Sequence, residues 1–165
     1  MANELHRKIL VAETALDYDT NFAEIDGLAA GSLCWCKNIT TMEDCEYAEV
    51  FAAISSGGTS PEGTINFYGG RAGTNLRTAA GFGNTLTDHG TEGTAADVTD
   101  MIACLGSPVK IIPIVTADTV YTVSFKFWYP GADWNLFIHN NTNEALDNTS
   151  SPHSVYAVGW GPELQ

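Results

Sequence analysis

Residues 109–162, VKIIPIVTADTVYTVSFKFWYPGADWNLFIHNNTNEALDNTSSPHSVYAVGWGP, decide the fold, because they read as four short apolar strands joined by turn residues. Tyr121, Val123, Phe125, Phe127 and Tyr129 alternate with Thr122, Ser124, Lys126 and Trp128. That period of two is the signature of a strand with one buried face. Pro130-Gly131-Ala132-Asp133 then supplies a φ-fixed proline and a permissive glycine for a turn. A strand from Trp134 to His139 is expected to break off at Asn140 to Asn143, whose side chains compete with the ladder for backbone partners. A last strand covers Ser154 to Trp160. Register requires Tyr121, Val123, Phe125 and Phe127 to be buried with Leu136, Ile138, Val155 and Ala157, since a one-residue slip exposes the whole set.

Working outward, the first half carries the same rhythm. Leu33 to Met42, Tyr47 to Ile54 and Thr64 to Tyr68 are runs rich in β-branched and aromatic residues, bounded by Gly, Ser and Pro. Glu4 to Leu16 suits a helix on propensity and a strand on its Ile9, Val11 and Thr14, and is assigned as a strand. Seven or eight short strands separated by turn signals predict an all-β sandwich or jelly roll. The 165 residues carry a prior of one domain spanning 1–165.

Gly69 to Gly106 departs from that rhythm, being dense in Gly, Thr and Ala with few large apolar anchors. Unstructured loops of that length are uncommon in compact domains and are usually functional or mobile. The segment is read as an extended arm with Arg71, Leu76, Arg77 and Phe82 as contact residues, and Ala95 to Leu105 as a short helix or strand returning to the body. Trp128 joins this set because alternation places it on the surface with Lys126.

Seven Lys and Arg stand against twenty Asp and Glu, a net charge of −13, with only 16% of residues charged. A surface so poor in cations repels phosphate backbones, which argues against nucleic-acid binding. No window approaches the ~20 apolar residues of a membrane helix. The apolar run Ile9 to Ala12 ends at Glu13, short of a signal peptide's core, so synthesis in a cytoplasm is expected. Cys34, Cys36, Cys45 and Cys104 match no zinc template. Buried free thiols are the first reading and a Cys45 to Cys104 disulfide the alternative.

Catalysis has little support. The histidines at 6, 89, 139 and 153 sit in no nucleophile motif, and His139 at the end of an apolar strand reads as structural. Asp133 and Glu144 form a remote candidate carboxylate pair. Asp17, Asp19 and Asn21 have calcium-loop spacing, but Phe22 and Leu28 stand where glycine and glutamate belong. Trp128, Tyr129, Trp134 and Trp160 read as exposed aromatics able to stack on sugars or anchor a protein interface.

The opening Met1 to Glu4, the acidic Asp17 to Ala30 segment with its Gly-Leu-Ala-Ala-Gly stretch, Ala48 to Ile54 followed by Thr64 to Gly69, and above all WNLFIHNNTNEAL at 134–146 resemble a group of small virion proteins of tailed bacteriophages. The resemblance is spread over most of the chain and is one of phrases. It implies a β-sandwich or jelly-roll protein on the outside of the phage capsid, a head decoration or cement protein. Its partners would be the major capsid protein and further copies of itself, commonly as a homotrimer. The resemblance implies no cofactor, metal or enzyme activity. A neck or tail component and a carbohydrate-binding adhesion module are the rival readings.

Overall fold

The computed structural model describes residues 6–15, 25–36, 39–71, 90–128, 130, 134–148 and 153–163. Alternation in the 120–128 segment becomes a strand whose odd-numbered residues are half-buried and whose even-numbered residues are exposed. In chain order the elements are β1 (His6–Ala15), β2 (Leu33–Trp35), β3 (Tyr47–Ser55), β4 (Gly63–Arg71), β5 (Gly90–Glu92), α1 (Ala95–Leu105), β6 (Lys110–Ile114), β7 (Val120–Trp128), β8 (Trp134–Thr142) and β9 (Ser154–Glu163). They form a four-stranded sheet, β1-β9-β3-β7, and a five-stranded sheet, β5-β2-β8-β4-β6, both antiparallel. The chain is an all-β sandwich, with one short helix among the described residues.

The main core lies between the sheets. Leu136, Ile138, Val155 and Ala157 are fully buried there. Tyr121, Val123, Phe125 and Phe127 pack against the same core yet stay half-buried, because β7 is the outermost strand of its sheet. Aromatic pairs join the layers: Phe125 meets Phe67 of β4 at 5.2 Å between centroids, and Phe127 stacks on Trp134 of β8 at 5.3 Å. Gly69 has no room for a side chain, since a Cβ there would run into the Phe127 ring.

Three expectations need correction. β8 continues through Thr142 instead of ending at His139. The Asn140 side chain does bond local backbone, accepting from the Thr142 N–H and donating to the Glu144 carbonyl, but it does so from inside the core and without ending the strand. Trp134 is fully buried between the sheets and is no surface aromatic. The Leu33 to Met42 run is also shorter as a strand, with β2 ending at Trp35 and a single bridge joining Ile39 to Trp134.

Within the 69–106 segment, Gly69 to Arg71 complete β4, while β5 and α1 occupy its C-terminal part. The helical alternative for Ala95 to Leu105 is therefore realised. Val98 and Met101 of α1 pack with Leu33, Tyr68 and Phe137 in a second cluster on the outer face of the five-stranded sheet. This buries both faces of β8, which sits in the middle of that sheet. Residues 72–89, with Leu76, Arg77 and Phe82, lie outside the described residues, as does the side chain of Arg71.

All four cysteines are free thiols; Cys34, Cys36 and Cys45 are buried and Cys104 is exposed on α1. Burial pushes the Cys36 thiol up to about 12, and its Sγ accepts the Leu136 backbone N–H at 3.1 Å. Burial, then the neighbouring Asp44 charge, raises Cys45 as well. Since the thiolate is the reactive form, an aromatic disulfide reagent is expected to titrate one thiol promptly in the native chain and all four after unfolding. Two or more fast native thiols would show the core to be more open than described.

Candidate binding surface on the four-stranded sheet

Strand order brings distant residues into one row. Ile9 pairs with Trp160, Trp160 with Tyr47, and Tyr47 with Trp128, so four residues from β1, β9, β3 and β7 cross the outer face of the sheet side by side. Directly opposed antiparallel residues share a face, which is why Trp128 carries the other three with it. The Tyr47 ring lies 5.0 Å from Trp128 and is stacked on Trp160 at 6.2 Å.

Two of the chain's seven cations converge on this row. Lys126 Nζ sits 4.3 Å from the Tyr47 centroid and 5.9 Å from that of Trp128. Arg7 Cζ reaches the same rings at 5.6 and 6.0 Å, while its Nη2 donates to Glu46 Oε1 at 3.1 Å. Tyr47 is thereby only 5% exposed although it faces away from the core, whereas Trp128 remains 47% exposed and Ile9 51%. Such a cluster holds its rings in place before any partner arrives, each cation–π contact contributing about 0.5–1 kcal/mol at an exposed site.

Further along the same face, Phe51 and Tyr156 stack at 5.1 Å beside a shallow trough of about 400 Å³. Ala53, Thr122, Ser124 and Ser154 line it, so its walls are aromatic and its other side chains small, with three hydroxyls and no charge.

The remaining sequence candidates do not assemble into a reactive centre among the described residues. Asp17 to Asn21, Tyr129 and Asp133 lie outside those residues. Glu144 accepts the Ser60 backbone N–H. His153 is buried, accepting the Ser55 N–H at Nδ1 and facing the Asp147 carbonyl 2.8 Å from Nε2. No group of His, Cys, Asp and Glu among the described residues is placed to hold a metal ion.

His139 is buried on the five-stranded sheet, with its Nδ1 unpartnered. Burial lowers its pKa, partly offset by a backbone hydrogen bond to Gly31. The folded chain thus binds this proton more weakly than the unfolded chain does. The stability contributed is present above about pH 6.5 and is lost as pH falls through the depressed folded value. His139→Gln is expected to flatten the acid limb of a denaturation profile measured against pH. An acid limb as steep as wild type would remove His139 as its source.

Sequence reasoning singles out Trp128 and Trp160 but not Tyr47 or Arg7, which join them only through the order of strands. Neither a protein-family model nor a curated protein matches the chain.

Proposed function

We propose that this chain is a structural protein of a tailed-bacteriophage particle, a head decoration protein that binds the major capsid protein on the outside of the assembled shell. The observation that carries the reading is the Ile9–Trp160–Tyr47–Trp128 row with its two cations, on the sheet whose outer face no described helix covers. The opposite sheet is closed by α1. Aromatic anchors ringed by charged groups are the usual composition of protein-binding hot spots. Arginine and lysine held over those rings would complement an acidic partner, where the rest of this acidic chain would be repelled. The sequence resemblance supports the same reading, which includes self-association and needs neither cofactor nor catalysis.

Its mechanism is linkage: a protein that binds the assembled lattice better than free shell subunits stabilises that lattice by mass action. Copy number in purified particles tests the assignment. Hundreds of copies per particle are expected, and a dozen or fewer would point to the neck or tail. Trp128→Ala is expected to leave the isolated fold unchanged and weaken particle binding at least thirtyfold, as loss of a hot spot does. Wild-type occupancy by that variant would remove this face from the interface.

The trough beside Phe51 and Tyr156 favours a second reading, an adhesion module for neutral glycans, because its lining is aromatic and hydroxylic without charge. Saturable glycan binding that is lost in Tyr156→Ala, together with absence from heads, would select it.

A further inference from the structure

Sheet edges offer unpaired backbone groups to other chains, and natural proteins blunt them with bulges, charges, proline or brevity. Three of the four edges here are blunted. β1 carries two register shifts and the cations Arg7 and Lys8; β5 is three residues long; β6 is five residues long and contains Pro113. β7 lacks bulge, proline and brevity. Its nine residues pair with β3 in unbroken register and include neither Pro nor Gly. Its one charge, Lys126, is folded back over Tyr47. Among the described residues no strand lies beyond it.

From this we infer that β7 is the edge through which two copies of this chain pair, antiparallel, about a two-fold axis midway between the two copies of Ser124. A two-fold perpendicular to the sheet must set outer-face residues opposite outer-face residues, so one residue of the strand pairs with its own copy across the axis. Only Ser124, the middle of the strand, matches all nine positions. In that register Val120, 54% exposed, faces the partner subunit's Trp128, and Thr122 faces the partner subunit's Lys126. On the inner face Tyr121 meets the partner subunit's Phe127, and Val123 meets the partner subunit's Phe125, extending the core across the seam. An axis at Lys126 would oppose like charges, and one at Phe125 would strand Val120.

The charge of −13 on each copy opposes this contact at long range, and salt screens that repulsion, so pairing should tighten as ionic strength rises. The inference stands apart from the particle reading, because it is tested on the purified chain and survives a failure to bind capsids.

Sedimentation equilibrium of the full chain, across concentration and at two salt concentrations, is expected to show a monomer–dimer equilibrium favoured by salt. Thr122→Glu places a carboxylate opposite each Lys126 across the axis and should tighten the dimer; Thr122→Lys places like charges there and should weaken it. Each change acts at two symmetry-related cross-strand pairs, giving a shift of roughly two- to thirtyfold in the dimer constant. Thr122 is exposed, so thermal melts should show both variants folded. A monomer at all concentrations or a trimer overturns the inference. So does a pair of variants that move the equilibrium in the same direction or leave it unmoved.

Discussion

Phe67→Ala is expected to destabilise the fold by about 3–5 kcal/mol, a large part of the total stability of a single domain. Phe67 is fully buried on β4 and faces Ile138 across the sheet and Phe125 across the sandwich. Phe125→Ala removes the other half of the same contact from a half-buried edge position, so its cost should be smaller. Trp128→Ala, on the outer face of that strand, should leave the denaturation midpoint near wild type. Chemical denaturation of the three variants sets the order. Equal losses at Phe125 and Trp128 would mean that both faces of β7 are packed within one copy.

Asn140→Ala should be nearly as damaging, for a reason that has nothing to do with apolar area. Its amide nitrogen donates to the Leu28 and Glu144 carbonyls, each at 2.9 Å, and its carbonyl oxygen accepts from the Thr142 hydroxyl at 2.6 Å and the Thr142 backbone N–H at 3.2 Å. The side chain has no exposed surface, so water cannot replace those bonds. Stranding buried partners costs about 1–3 kcal/mol for each group left unsatisfied, and an overall loss of roughly 3–5 kcal/mol is expected. Asn140→Asp separates polarity from size. The isosteric carboxylate keeps the acceptor but loses the donor, and turns two carbonyl contacts repulsive. If Asn140→Asp were as stable as wild type in urea, the donor half of this hub would be irrelevant.

The same residue shows where the sequence misleads. A run of asparagines reads as a strand end because, in isolation, each amide can serve its own backbone. Here the Asn140 amide serves its own backbone at Thr142 and Glu144 and the Leu28 carbonyl as well, and β8 still runs on to Thr142. The alternation in β7 was legible because one face of that strand is wet. β8, dry on both faces, has no polar-apolar period to read, so from sequence Trp134 reads as a surface ring. The helix covering that sheet was visible only as one of two options, since its buried contacts are just Val98 and Met101. Of the candidate surface, Trp128 followed from alternation. Tyr47 and Arg7 depend on β9 lying between β1 and β3, a neighbourhood set by pairing over long stretches of chain.

That placement of β9 has a consequence for how the protein is made. The strand occurring latest along the chain lies inside its sheet, hydrogen-bonded to β1 on one side and β3 on the other. Until it leaves the ribosome, among the described residues β1 has no partner in that sheet and β3 has only β7. Closing the sheet means joining residue 6 to residue 163, a loop whose entropy must be met before the pairing rewards it. A nascent chain of this kind waits with sticky flanks, and synthesis rate and chaperone supply become determinants of yield, quite apart from the stability of the finished sandwich.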